Sequence, residues 1–235
     1  MRESQKFIVI IIGSPGAGKG TQAGLLSEKL NLYSFETSCV LEESWNKAKK
    51  GDYIEINGNK KFYLLNEKKL FDEGVLCSPP FVSSVIKKKI EELAGQDKGI
   101  VFCGSPRTIY EGKKLIPLLI DLYGLDNILV LQLKVNNKEA IWRNTRRKIC
   151  LKCRYPVPFT LETRELKKCP KCGGKLVIRT LDTAKTMKIR LKEYKKRTYP
   201  LFGYFKKIGI TVKKINGEQS IKDVHKDILR AVKND

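Results

Sequence analysis

The sequence predicts an α/β fold of three layers, in which a parallel sheet is flanked by helices. The first sign is residues 7–12, FIVIII, a continuous apolar run that is typical of a strand buried on both faces. The second is a glycine-rich segment that ends this run and leads into helical apolar spacing over residues 21–30. The third is the alternation of apolar runs and helical patterns along the 235 residues, which favours a doubly wound parallel sheet.

The other core elements follow from the same two patterns. Short apolar runs predict strands at residues 33–35, 100–103, 127–133 and 210–215. Helical spacing predicts helices at residues 79–94, 110–123, 137–148, 182–199 and 220–232, the first of them opened by two prolines.

Two segments interrupt this alternation. Residues 37–74 are polar, lysine-rich and weakly periodic, so we predict an insertion there with one or two helices. Residues 149–178 hold two cysteine pairs and three prolines, which indicates a small independent insertion. The predicted core domain therefore comprises residues 1–36, 75–148 and 179–235.

The net charge of +22 is concentrated in the second half of the chain. Residues 134–214 contain 25 Lys or Arg against 5 Asp or Glu, which implies an anionic ligand or surface. The alternative is that the excess lysines only coat solvated faces. No apolar run approaches about 18 residues and no cleavage site follows the first strand, so we expect no membrane span, no secretory signal and a cytoplasmic location. The odd cysteine count, seven, argues against a disulfide scaffold.

Residues 13–21, GSPGAGKGT, form the sharpest motif, a P-loop between a strand and a helix. Glycines let successive backbone N–H groups curl around a phosphate, and the positive end of the following helix points at the same place. Lys19 adds a mobile cation for the β- and γ-phosphates. The motif predicts that the nucleotide phosphates are bound by Gly13, Gly16, Ala17, Gly18, Lys19, Gly20 and Thr21.

The second insertion contains a cysteine pattern that is typical of a metal site. Its spacing, C-x2-C-x15-C-x2-C, fits four thiolates around Zn²⁺. The predicted zinc ligands are Cys150, Cys153, Cys169 and Cys172. Because four thiolates leave no open coordination position, we expect this metal to stiffen the insertion and not to take part in catalysis.

The form of the phosphate loop resembles the adenylate kinase branch of the nucleoside monophosphate kinases, and the likeness continues over almost the whole chain. Residues 104–108, GSPRT, are similar to the family's GFPRT segment, and the cysteine insertion resembles the zinc lid of many bacterial members. The resemblance implies a monomeric enzyme that uses Mg²⁺ and transfers the γ-phosphoryl group of ATP to a monophosphate, AMP being the expected acceptor.

The resemblance also implies residue roles. The residues matched to the family's catalytic cations are Lys19, Arg107, Arg143, Arg147, Arg179 and Arg190. Arg143 and Ile215 match residues that border the adenine of ATP, and Thr37, Arg107 and Glu111 match the monophosphate site.

Four residues depart from the family's pattern, and one of them is Glu111, which stands where the family has a glutamine after the GFPRT segment. The family's monophosphate-side motif, Thr-Gly-Asp-x-x-Arg, aligns with residues 37–42, so the arginine expected to hold the acceptor phosphate is Glu42. The two aspartates that organise the hydrated magnesium align with Cys39 and Cys103. A neutral thiol is a poor ligand for a hard cation, so both the acceptor site and the magnesium site need another explanation.

Three explanations are open. The alignment is displaced, and the missing carboxylate is supplied by Glu36, Glu43 or Asp52. The acceptor is bound differently, with the missing arginine replaced by Lys47, Lys49, Lys50, Lys60 or Lys61. Or the acceptor site has decayed, and the protein binds ATP without efficient transfer.

The remaining unusual residues have two interpretations each. Cys39 and Cys103 would lie close together in the family's geometry, either as a redox-sensitive pair or, as we favour, as small packing residues. Trp45 and Trp142 are predicted to pack and not to stack on bases. As a second function hypothesis, the chain is a catalytically weak nucleotide-binding protein whose basic C-terminal part contacts RNA or another polyanion.

Overall fold

The computed structural model describes residues 6–56, 58, 60–178 and 182–233. Its strands are β1 (Ile8–Gly13), β2 (Tyr33–Glu36), β3 (Tyr53–Ile56), β4 (Lys60–Tyr63), β5 (Ile100–Cys103), β6 (Ile128–Lys134), β7 (Lys148–Cys150), β8 (Pro156–Val157), β9 (Leu176–Val177) and β10 (Val212–Asn216). Its α-helices are α1 (Lys19–Leu30), α2 (Thr37–Trp45), α3 (Leu64–Asp72), α4 (Pro79–Gly95), α5 (Ile109–Tyr123), α6 (Asn137–Arg146), α7 (Ala184–Glu193), α8 (Leu201–Lys207) and α9 (Ile221–Lys233).

A five-stranded parallel sheet lies at the centre, in the order β10-β6-β1-β5-β2. Strand β1 is buried on both faces, as its continuous apolar sequence predicts. Ile8 and Ile10 pack into a core beneath α4, α5 and α8, whereas Val9 and Ile11 pack into a second core beneath α1 and α9. These two cores separate three layers, so the predicted α/β fold is confirmed.

Most of the predicted core elements are confirmed, with ends that differ by two residues or fewer. The exception is the helix predicted over residues 182–199. Helix α7 ends at Glu193, a five-residue π-helical turn follows, and Pro200 precedes a separate helix, α8, that the sequence pattern did not reveal. Helix α6 ends at Arg146, because Lys148 already pairs in strand β7.

The first insertion contains two helices, α2 and α3, within the predicted one or two. Between them lies an antiparallel hairpin of β3 and β4, which pairs Tyr53 with Tyr63 and was not predicted. Strand β3 is partly exposed along its whole length, so its sequence lacks the continuous apolar run that marked the core strands.

The second insertion is built around a small antiparallel sheet. Strand β7 pairs with β8 on one side and with β9 on the other. The first cysteine pair spans the end of β7 and the turn to β8, and the second pair lies a few residues before β9. Within the described ranges, every helix is too short or too polar to cross a membrane.

Candidate active site

One large cleft, with a volume of about 390 Å³, opens at the carboxyl edge of the parallel sheet. The loops that follow β1 and β5 form its floor, and parts of α6, α7 and the second insertion form its walls. This edge is where α/β proteins of this type bind ligands, because loops and helix N-termini converge there.

The P-loop forms the floor of this cleft, and all seven predicted phosphate-binding residues line it. Gly16 has a φ of +86°, and a Cβ atom there would come within 2.2 Å of the Ala140 carbonyl oxygen, so only glycine fits. The Lys19 Nζ donates hydrogen bonds to the carbonyl oxygens of Gly13 and Ser14, both at 2.9 Å. The lysine therefore folds back over a loop shaped for a phosphate.

Lys19 has an unusual proton affinity. Burial, together with the smaller effect of the guanidinium groups of Arg107, Arg190 and Arg147, lowers its pKa from 10.5 to about 7. Cys103 acts in the opposite direction. The cations therefore crowd one another in the absence of an anion, and a bound polyphosphate would relieve this repulsion.

Asp182 organises two of the predicted catalytic arginines. Its carboxylate is fully buried and accepts hydrogen bonds from Arg147 at 2.7 and 3.2 Å and from Arg190 at 3.1 Å. The Asn144 side-chain amide donates a further bond at 2.8 Å. Sequence reasoning missed Asp182. The available signal was its isolation as one of five acidic residues in a strongly basic segment.

The other predicted arginines occupy different parts of the cleft. Arg143 pairs with Glu139 at 2.6 Å and donates to the Gly217 carbonyl oxygen at 2.7 Å, so it links α6 to the turn after β10. Arg107 also lines the cleft. Arg179 lies outside the described residues.

Aromatic residues line the cleft near Arg143. Trp142 is 41% exposed and contacts Phe159 edge-to-face, with ring centres 5.9 Å apart. Trp142 therefore packs on Phe159 and also forms part of the cleft wall, so its role as a packing residue and not a base-stacking one stays a prediction. The same prediction for Trp45, which is 5% exposed in the core, is confirmed. Ile215 is also buried in the core, and Gly217 lines the cleft instead.

The predicted acceptor residues lie beside a small side cavity. Thr37 is buried and its hydroxyl donates to the Ser105 hydroxyl at 2.9 Å. Glu111 is also buried, accepts from the Arg107 backbone N–H at 2.8 Å and from the Thr108 hydroxyl at 3.0 Å, and caps the start of α5. Thr37, Arg107 and Glu111 together line the side cavity, which adjoins the cleft through Arg107.

The residues at the expected magnesium site are one carboxylate and two thiols. Burial and the Glu36 carboxylate raise the pKa of both Cys39 and Cys103 to about 11, so both thiols are neutral at pH 7. Glu36 lines the cleft, 3.7 Å from the point where a Cβ on Gly20 would lie. Of the three carboxylates considered as substitutes, Glu36 alone lines the cleft, since Glu43 is exposed on α2 and Asp52 bonds the Lys49 backbone.

The four insertion cysteines form a compact cluster. All four sulfur atoms lie within 4.8 Å of one another, and the Cys150–Cys172 and Cys153–Cys169 pairs are 3.5 and 3.6 Å apart. Four thiolates arranged tetrahedrally at about 2.3 Å from Zn²⁺ would be roughly 3.8 Å apart. The cluster therefore fits a closed tetrahedral metal site.

Comparisons with known proteins agree with this geometry. The family model for adenylate kinase matches residues 11–210. An adenylate kinase of Caldicellulosiruptor saccharolyticus is 32% identical over 227 residues, which are 95% of this chain and 98% of its own length. Adenylate kinases of Clostridium botulinum and Archaeoglobus fulgidus are each 32% identical, over 230 and 222 residues. These cover 97% and 94% of this chain and 99% and 95% of their own lengths.

Adenylate kinases are ATP-dependent phosphotransferases that act on nucleoside monophosphates. The match covers both the phosphate loop and the cleft above it, at nearly full length in both partners. The chain therefore belongs to the adenylate kinase family.

Proposed function

We propose that this chain transfers the γ-phosphoryl group of ATP to AMP and releases two ADP. The observation that carries the proposal is the convergence of Lys19, Arg107, Arg147 and Arg190 on one cleft above the P-loop. Phosphoryl transfer needs little covalent chemistry from a protein, and depends on positioning, charge neutralisation and exclusion of water. Neither the fold nor the relatives favour the second hypothesis of a weak nucleotide-binding protein that contacts RNA.

In this proposal each group has a defined task. The P-loop binds the β- and γ-phosphates of ATP, with Lys19 protonated by their charge. Arg147 and Arg190, held by Asp182, bind the oxygens that gain negative charge during transfer. Arg107 lies between the cleft and the side cavity and binds the acceptor phosphate. The ATP adenine lies against Arg143 and Trp142, and Thr37 and Glu111 support the acceptor site.

We test this function with a coupled assay of ADP formation. Purified protein, ATP and Mg²⁺ are incubated with AMP, GMP, CMP or UMP in turn. ADP formation should be fastest with AMP. Transfer to another monophosphate alone, or to none of the four, would refute the proposed reaction.

Glu36 is a residue of the cleft that suits Mg²⁺ as a ligand. When bound, Mg²⁺ neutralises charge on the ATP phosphates, and a carboxylate is its preferred protein partner. Glu36 lies beside Gly20 of the P-loop, and its Oε2 atom also accepts from the Cys39 thiol at 3.7 Å. We propose that Glu36 holds the hydrated ion in place of the two family aspartates.

Replacing Glu36 by glutamine should raise the Mg²⁺ concentration that gives half-maximal activity by about tenfold, because the amide keeps the shape but lacks the charge. Titration of Mg²⁺-dependent ATP binding, followed by tryptophan fluorescence, provides a readout that does not depend on turnover. Glu43→Gln removes the same charge from the exposed side of α2 and should change neither value. An unchanged magnesium requirement in Glu36→Gln would show that another group holds the ion.

We also propose that the four-cysteine cluster binds one structural Zn²⁺. The bound metal would cross-link the two halves of the insertion, in addition to the short strands that pair them. A four-thiol site needs reduced cysteines, which supports a cytoplasmic location.

We further propose that residues 37–74 and 149–178 act as mobile segments over the core, and that the protein works as a monomer.

Metal analysis should find about one zinc ion per chain, and its removal by a strong chelator should lower the melting temperature by roughly 5–10 °C, because a ligand of the folded state stabilises that state. Replacing the exposed ligand Cys153 by serine should have the same effect without any chelator. Protein that contains no zinc after growth in zinc-supplemented medium, with a melting temperature that chelator does not change, would contradict the assignment.

A further inference from the structure

The two cysteine knuckles of the second insertion share a backbone design but differ at one residue. The residue after the second cysteine of each knuckle has a positive φ, 60° at Arg154 and 71° at Gly173. Each donates its backbone N–H to the carbonyl oxygen of the first cysteine, at 3.0 Å to Cys150 and at 2.9 Å to Cys169. This conformation favours glycine. A long charged residue therefore occupies a position that disfavours it, which points to a use for its side chain.

The Arg154 side chain reaches into the cleft. It lines the cleft wall, and its Nη2 atom lies 2.5 Å from the Glu42 Oε2 atom. Glu42 is on α2, one helical turn after Cys39, which lines the same cleft. Both side chains are half-buried. The ion pair therefore joins two walls of the cleft that are 112 residues apart in sequence.

Glu42 stands where the family pattern has the arginine expected to hold the acceptor phosphate. A carboxylate alone would repel a phosphate dianion there. A guanidinium has five N–H donors, so one edge can bind a carboxylate while the other binds phosphate oxygens. The pair is close to neutral overall, so it adds directed hydrogen bonds without adding to the repulsion among the cations of the cleft.

We propose that Arg154 binds the phosphate of the acceptor monophosphate from the insertion side, and that Glu42 is a positioning residue that aims its guanidinium. The guanidinium that the family pattern places on α2 is thus supplied by Arg154 on the opposite wall. The corresponding position on α2 is occupied by the Glu42 carboxylate. This assignment rests on the proposed function, because it names the residue that recognises the acceptor. It replaces the earlier explanation in which lysines of residues 47–61 take that role.

The alternative role for this ion pair is purely structural, as a clasp that holds the insertion against α2 without binding phosphate. A clasp that only held the insertion against α2 would change closure of the cleft, and so would affect ATP and AMP alike. A phosphate ligand would affect the acceptor selectively. The two Michaelis constants, measured separately, distinguish these roles.

The test compares variants that lose the same charge from the same insertion. Arg154→Gln should raise the KM for AMP by about 10- to 100-fold, because charge-assisted hydrogen bonds to the phosphate are lost, and should change the KM for ATP by less than about threefold. Arg164→Gln is the control. Arg164 is exposed and pairs with the neighbouring Glu165 at 3.4 Å, away from the cleft, so neither KM should change.

Two further variants distinguish a loss of phosphate binding from a folding defect. Arg154→Gly suits the positive φ of the knuckle, so it should fold and bind zinc normally while showing the same rise in KM for AMP. The double variant Glu42→Arg with Arg154→Gln returns an arginine to α2, and its KM for AMP should recover to within about fivefold of the wild-type value.

The outcomes separate the two proposals. An unchanged KM for AMP in Arg154→Gln and Arg154→Gly, or an equal rise for both nucleotides, overturns the role of Arg154 while the wild-type reaction stands. A wild-type protein that forms no ADP from ATP and AMP overturns the proposed function itself, and with it this assignment.

Discussion

Replacing Lys19 by methionine should lower kcat for ADP formation by about 10²- to 10³-fold, because a preorganised cation that meets developing charge contributes on that scale. The methionine keeps the length of the side chain, so the P-loop should retain its shape. Lys29→Met is the matched control, since Lys29 lies in the last turn of the same helix and is exposed. Lys29→Met should retain wild-type kcat. A Lys19→Met protein with wild-type kcat would remove Lys19 from the mechanism.

The lowered pKa of Lys19 adds a proton-linked readout. With a pKa of about 7, roughly nine-tenths of Lys19 in the free protein lacks its proton at pH 8. The ATP phosphates favour the charged form, so ATP binding at pH 8 should take up about one proton, and binding at pH 5.5 almost none. Calorimetry in two buffers with different ionisation enthalpies measures this uptake, and Lys19→Met should abolish it.

The lowered pKa of Lys19 also makes the free energy of unfolding depend on pH. The unfolded chain keeps the Lys19 proton up to pH 10.5, whereas the folded chain loses it above about pH 7. The unfolded state therefore binds more protons between these values, so the contribution of Lys19 to the free energy of unfolding rises with pH across this window. In Lys19→Met this contribution should be absent from the pH profile of ligand-free protein.

Replacing Asp182 by asparagine should destabilise the protein by about 3–5 kcal/mol, because two guanidinium groups lose the buried charge that pairs with them. For a chain of this size that corresponds to a fall of roughly 10 °C in melting temperature. Activity should fall as well, since Arg147 and Arg190 lose the group that orients them. The melting temperature and kcat are measured on the same preparation.

Two control variants separate charge from position. Asp182→Glu keeps the carboxylate and should recover part of the stability. Asp121→Asn removes an exposed carboxylate from α5 and should change the melting temperature by less than about 2 °C. If Asp182→Asn were as stable and as active as the wild type, the arginines would be held by other groups.

The core could be predicted from the sequence because its signals are local. The six-residue run before the P-loop has no polar residue, and only a strand covered on both faces buries such a run. The cysteine spacing likewise contains nearly all the geometry of its site, since each pair chelates from one tight turn.

The features that the sequence did not reveal depend on long-range contacts. The ion pair of Arg154 with Glu42 joins segments that are 112 residues apart in sequence, and no local sequence pattern predicts it. Asp182 looked like an isolated acid before the fold placed it beside two arginines. The β3–β4 hairpin was missed because half-exposed strands of four residues carry too few apolar positions to show a period.

The most direct test of phosphoryl transfer by this protein follows the γ-phosphoryl group of ATP. Protein, Mg²⁺ and AMP are incubated with ATP that carries a label only in its γ-phosphate, and the products are separated. The label should appear in the β-phosphate of ADP formed from AMP, with two ADP produced for each ATP consumed. Label released as inorganic phosphate, with AMP left unchanged, would show hydrolysis without transfer and would contradict the proposed reaction.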